Sequence, residues 1–194
     1  MDLSLPQTRR KLHHRQIAVE GFEREDGLFD IEAEIVDTKT HDIATLGFFV
    51  RAGEPMHRMR MRLTIDLDYT ILAAEAVTFN GPLSSCPGGA ATFASLKGLT
   101  IKSGFMRAAS ERMAGVTGCT HIRELLQQMA TVAFQTTIPA IRARREAQGE
   151  NVRDRPAIAA IDSCYALDRK GEFVRQRFPE LYTGDKDMPE TSRQ

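Results

Sequence analysis

Apolar and polar positions alternate along the first eighty residues with the period of two that belongs to half-buried strands. The alternation is loose over residues 15–24, where Ile17, Val19 and Gly21 face away from Ala18, Glu20 and Phe22. Glu25-Asp26-Gly27 then reads as a turn, because Asp-Gly readily supplies positive φ. The clearest strand follows, with Phe29, Ile31, Ala33 and Ile35 on one face and Asp30, Glu32 and Glu34 on the other. A looser strand is expected around residues 43–51, broken by Ala52-Gly53-Glu54-Pro55. From Met56 to Asp68 the alternation returns: His57, Met59, Met61, Leu63, Ile65 and Leu67 share one face, and Arg58, Arg60 and Arg62 the other. Antiparallel pairing of this segment with the Phe29 strand sets three guanidiniums against three carboxylates, each pair contributing a few tenths to about 1 kcal/mol. Residues 69–80, with Ile71, Ala73, Val77 and Phe79, complete the strands before the stop at Asn80-Gly81-Pro82.

Beyond residue 90 the period lengthens. Residues 90–96 read as a short helix and residues 99–113 as a second one, interrupted at Ser103-Gly104. The longest helical pattern spans about 120–145, with Ile122, Leu125, Leu126, Met129, Val132 and Ala133 at spacings of three and four. Thr120 is its expected N-cap, and Pro139 should kink or end it. Residues 160–176 carry a short β pattern around the turn Asp168-Arg169-Lys170-Gly171 and read as a C-terminal hairpin. The expected fold is therefore α+β: an antiparallel sheet of three or four strands (about 15–80), covered on one face by helices (about 90–145), with a C-terminal β-hairpin (about 160–176). Residues 15–182 form a single domain in this reading, between a polar lead-in (1–14) and a polar tail (183–194).

Composition narrows the function classes. The chain has 194 residues with 26 basic and 26 acidic side chains, which suits one domain with a core that needs no staples. Zero net charge disfavours nucleic acid or an anionic membrane as partner. No apolar run is long enough to cross a bilayer, and the basic start lacks the apolar core of a secretory signal. Three scattered cysteines make no disulfide framework, so a cytoplasmic protein with reduced thiols is expected.

The candidate chemistry gathers at Gly118-Cys119-Thr120-His121, where the long helix opens. Unpaired N–H groups and the helix dipole favour a thiolate there, and His121 adds a positive charge or a base. His57 begins the apolar face of its strand, under whatever helices cover the sheet. Cys86 lies in the glycine-rich loop Ser84-Ser85-Cys86-Pro87-Gly88-Gly89, whose backbone can approach a ligand closely; Cys164, in the hairpin, reads as core. No phosphate-loop, dinucleotide or nucleophile-elbow motif is present. Catalytic roles fall to Cys119, His121 and His57, with Arg60 and Arg62 as holders of a substrate carboxylate. The expected activity is that of a lyase or decarboxylase acting on a small organic, even aromatic, acid without an organic cofactor. Two alternatives stand beside it: a zinc or iron site, or a sulfur carrier, built from Cys86, Cys119 and His121, and a non-catalytic binding module. Partners are a small molecule and a second copy of the chain, with no nucleic acid and no membrane.

Several stretches resemble a bacterial family, domain of unknown function 2889. They are Arg24 to Ala33, Asp37-Thr38-Lys39, Ala52 to His57, Arg62 to Asp66, Gly118 to His121 with Glu124-Leu125-Leu126, and Ser163-Cys164-Tyr165-Ala166-Leu167. The resemblance implies cytosolic bacterial proteins of unassigned activity. The family often has tryptophan where Phe29 stands, and a small polar residue where Arg58 follows His57. The order of sheet, cysteine, helices and a final helix opened by cysteine and histidine is also similar to the iron–sulfur scaffold and sulfur-acceptor superfamily. Cys86 matches its first cysteine, and Cys119 with His121 its last pair. The middle cysteine and the aspartate of a scaffold are missing.

Overall fold

A computed structural model describes residues 3–45, 48–150 and 160–184. The chain divides into two compact units, Met1–Thr137 and Ile138–Gln194. In the first, four strands form an antiparallel sheet in the order β1 (His13–Glu23), β2 (Phe29–Lys39), β5 (Pro55–Ile65), β6 (Ile71–Asn80). The segment read as one loose strand is instead a separate two-stranded hairpin, β3 (Ile43–Thr45) with β4 (Phe48–Val50). The α+β class holds.

Register turns the alternation into rows. Across β1, β2 and β5 the inward rows are Glu23–Phe29–Ile65, Gly21–Ile31–Leu63, Val19–Ala33–Met61 and Ile17–Ile35–Met59. Phe29, Ile31, Ile35, Leu63 and Ile65 are fully buried, as a sheet covered on one face requires. The outward rows set Glu32 opposite Arg62 and Glu34 opposite Arg60. Arg62 Nε donates to Glu32 at 2.8 Å and Arg58 Nε to Glu34 at 2.8 Å. The predicted charge ladder is therefore present, except that Asp30 pairs with the Thr64 hydroxyl (2.6 Å) and with Arg24.

Strand β6 departs from a plain period of two. Bulges after Thr64 and after Arg58 each insert an extra residue, Leu72 and Phe79, into β6. The inward face of β6 is consequently Ile71, Ala74, Ala76 and Thr78. Val77 and Phe79, apolar like Ile71, are exposed on the other side. Each extra residue reverses the side on which the following side chains emerge.

The inward face is covered by α1 (Cys86–Ala91), a 3₁₀ turn (Thr92–Leu96), α2 (Phe105–Met113), a second 3₁₀ turn (Gly115–Thr117) and, as far as Thr137, α3 (Thr120–Ala147). Phe93, Leu96, Ala109, Met113, Ile122, Leu125, Leu126 and Met129 are buried there. At α3's contact with β1 a side chain is excluded: a Cβ on Gly21 would overlap Thr136. Nearby, the Tyr69 and Thr137 hydroxyls meet at 2.8 Å. Pro139 lies inside α3 rather than at its end.

The second unit corrects the expected C-terminal hairpin. Beyond the end of α3, its described residues 160–184 form a 3₁₀ turn (Tyr165–Leu167) and a short helix (Glu172–Arg177). Glu172 sits in the first turn of that helix and Arg175 and Arg177 in its last, as the helix dipole favours. Arg169 clasps Asp162 through side chain and backbone (3.0 and 2.9 Å), closing a loop where strand pairing was expected. Tyr165 and Cys164 are exposed, so Cys164 is not core.

Candidate active site

One row of the sheet breaks the apolar pattern. Arg15, Asp37 and His57 stand opposite one another across β1, β2 and β5, on the inward side, one step beyond Ile17, Ile35 and Met59. A carboxylate at that position is cut off from water; Asp37 is 1 % exposed. Burial without partners would be costly, and Asp37 is amply partnered. Arg15 grips it as a fork, Nε to Oδ1 and a terminal nitrogen to Oδ2, both at 2.8 Å. His57 Nδ1 lies 3.1 Å from Oδ2, and His13 Nε2 lies 3.4 Å from Oδ1. Arg15 also donates to Glu124 of α3 at 2.8 Å, tying the row to the helix that covers it.

Cys119 occupies the N-cap of α3, the place predicted for Thr120. Its carbonyl accepts the first helical hydrogen bond, from Arg123 N at 3.0 Å. Its sulfur lies 3.9 Å from His121 Nδ1 and 3.9 Å from Met59 Sδ. Burial alone would raise the thiol pKa. The His121 imidazole and the backbone N–H groups of Ile122 and His121 outweigh burial and bring it below the ordinary 9.0. This is the stabilisation a capping oxygen normally enjoys, transferred to a sulfur anion.

The two imidazoles are pushed in opposite directions. His121 and His57 stack with ring centroids 4.0 Å apart. His121 rises above 6.5 because Cys119 accepts its proton's hydrogen bond, which outweighs burial. His57 falls below 6.5, first through burial and then through the positive charge of His121, despite Asp37. Asp37 stays ionised: burial raises it, but the Arg15 fork and the neighbouring histidines hold it below 3.8. An ionised carboxylate only accepts, so neutral His57 donates Nδ1–H to Asp37 and keeps its Nε2 lone pair free. The surroundings thus bias His57 toward the neutral imidazole, His121 toward the imidazolium and Cys119 toward the thiolate.

These groups open on a cleft of about 490 Å³ lined by His57, Met59, Pro82, Cys86, Gly88, Gly89, Val116, Cys119 and His121, among others. That volume suits a small organic molecule. The predicted residues His57, Cys86, Cys119 and His121 therefore share one cavity. Gly89 lets α1 approach, since a Cβ there would lie 3.2 Å from Cys119 Cβ. Arg60 and Arg62 do not join them: alternation puts both on the outward face, where they pair with Glu32. Cys164 belongs to the other unit.

Sequence reasoning passed over Asp37, Arg15 and His13. The signal was parity. Asp37 continues the Phe29-Ile31-Ala33-Ile35 series, and Arg15 precedes Ile17 and Val19 on theirs. A charged residue on an inward face needs a partner, and register supplies each with the other. As for metals, Asp37, His57 and His121 offer ligand atoms within 4.8 Å of one another, a set different from the predicted Cys86, Cys119 and His121. Two histidines and a carboxylate suit iron or zinc. Both Asp37 oxygens, however, already accept from the Arg15 fork, which repels a cation.

A family model described as "Protein of unknown function (DUF2889)" matches residues 13–135, more than half of the chain. The chain belongs to the DUF2889 family. The matched stretch runs from His13 to the middle of α3, so it contains every residue of the row, the thiol and both imidazoles, and ends close to the boundary of the first compact unit. No curated protein and no solved structure matches this DUF2889 protein, and the resemblance to iron–sulfur scaffolds finds no support among the comparisons. Among the described residues no helix is long and apolar enough to cross a membrane.

Proposed function

We propose that this DUF2889 protein is a small-molecule enzyme of acid–base type, a lyase that moves a proton at carbon on a small organic acid. The observation that carries the reading is the stacked pair His57 and His121, whose surroundings bias one toward the neutral form and the other toward the charged form. Titratable neighbours driven apart in this way are how one site holds a base and an acid at the same pH. His57 is the base, through Nε2, with Asp37 fixing its tautomer and Arg15 fixing Asp37. His121 is the acid, sharing its proton with Cys119, which stands at the cleft wall as the nucleophile. The imidazolium, rather than Arg60 or Arg62, is the cation nearest a bound carboxylate.

Incubation in D₂O with a panel of small hydroxy-, oxo- and aromatic acids, followed by proton NMR, reads bond cleavage or proton exchange at carbon. Turnover of a panel member, reduced at least about 100-fold in His57→Gln and in Cys119→Ala, is the expected result. Undiminished turnover in both variants would refute the assignment. A second reading has its own observation, the convergence of Asp37, His57 and His121. Stoichiometric zinc or iron in untagged protein, lost in His57→Gln and Asp37→Asn, would move the chemistry to a metal-assisted one. A carrier or binding module, by contrast, has no need for two imidazoles of opposed bias.

A further inference from the structure

Two adjacent glycines stand on the cleft wall, and only one is explained by the protein. Gly89 has no room for a side chain because Cys119 Cβ would lie 3.2 Å from its Cβ. Gly88 faces no such limit: a Cβ there would meet nothing within 4 Å. Its backbone does not require glycine either. Gly88 lies inside α1 and does not have a positive φ, and glycine within a helix is less stable than alanine. Neither turn, packing nor capping accounts for it, yet it lines the cleft that holds Cys119.

The rest of the wall suggests what the space is for. Pro82 offers apolar surface, and Val116 is fully exposed in the second 3₁₀ turn, which borders the cleft; Met59 behind them is itself buried. Aliphatic groups beside bare backbone make a good seat for a flat ring. We infer that Gly88 is a substrate-contact position whose missing side chain admits an aromatic or similarly flat ring next to Cys119. This deepens the proposed function, since it rests on the cleft being the substrate site and names the substrate's shape.

The test needs no turnover. Cys119 is alkylated with N-methylmaleimide and with N-phenylmaleimide, which share a reactive group and differ by the ring. Rates are read at Cys119 by site-resolved mass spectrometry, because Cys86 and Cys164 are also free thiols. In Gly88→Leu the phenyl-to-methyl rate ratio should fall at least tenfold, with the N-methylmaleimide rate within twofold of wild type. Gly88→Ala should give a smaller fall in the ratio and an unchanged or higher melting temperature, which keeps the test usable if the larger side chain disturbs α1. Equal slowing of both reagents, or no change of the ratio in either variant, would overturn the inference and leave Gly88 an unused surface glycine. Loss of selectivity in Gly88→Leu with undiminished turnover in His57→Gln and Cys119→Ala would instead keep the ring seat and discard the acid–base assignment.

Discussion

Removing the Arg15–Asp37 pair one partner at a time gives a sharp check on the buried row. Asp37→Asn keeps the side chain's shape but deprives Arg15 of its fork and His57 of its anion. Breaking a buried pair at one partner costs about 3–5 kcal/mol when the other stays dry. Arg15 is about a third exposed (32 %) and regains part of its hydration, so we expect about 2–3 kcal/mol for Asp37→Asn. At roughly 2–4 °C per kcal/mol for a chain of this size, the melting point falls by roughly 4–12 °C. Arg15→Met should cost more, about 3–5 kcal/mol, because Asp37 is the more deeply buried partner and is left with imidazoles alone. The double variant should lose less than the sum of the two, with a coupling of about 1–3 kcal/mol in urea unfolding at pH 7. The pH dependence has a definite sign. The native Asp37 pKa is depressed below 3.8, so its contribution is complete above 3.8 and is lost as pH falls from there through the native value. Asp37→Asn should therefore lose less stability than wild type across that acid window. A coupling below about 0.5 kcal/mol, together with an unchanged acid limb, would refute the account of the row.

Iodoacetamide alkylation of Cys119 should show its inflection below pH 9.0, and His121→Ala should move that inflection upward; an identical profile in the variant would show that the thiolate owes nothing to the imidazole. Once a substrate is in hand, kcat/KM should follow a bell. The acid limb reports protonation of the base below pH 6.5, the alkaline limb reports loss of the His121 proton above it, and both limbs belong to the coupled pair; a profile lacking either limb would count against the roles assigned. Gly21→Ala should destabilise by about 1–3 kcal/mol through overpacking against Thr136. Thr136→Ala in the same chain should recover most of that loss in urea titrations, and no recovery would mean the strain lies elsewhere.

The sequence carried the sheet well because a face buried on one side imposes parity, and parity survives in residue order. β2 and β5 and their charge ladder follow directly from it. The site was half visible. Cys119, His121 and His57 stand out by residue type, and Cys86 by its glycine-rich loop. Asp37 and Arg15 were hidden because ion pairs across strands depend on register, which alternation alone does not give. Arg60 and Arg62 were misplaced for another reason: they were chosen for their charge although their own parity already turned them outward. In β6 the bulged residues Leu72 and Phe79 shift the faces without any mark in the pattern. The C-terminal hairpin failed for a different reason: short apolar runs such as residues 163–167 and 172–174 fit turn and helix as readily as strand.

The polar row has a consequence for how the chain reaches its fold. Among the described residues β1 is an edge strand that pairs only with β2, and its neighbouring inward residues Val19, Ile17 and Arg15 differ little in backbone terms. Were β1 to slide by two residues, its apolar side chains would still point inward, and an oily interior alone would scarcely notice. Asp37 would notice, because the slide sets Ile17 or His13 opposite it in place of the guanidinium and strands a carboxylate without its cation. The row thus acts as an alignment key for the outermost strand. It penalises the even-numbered slips that hydrophobic patterning, which resists only odd ones, lets pass.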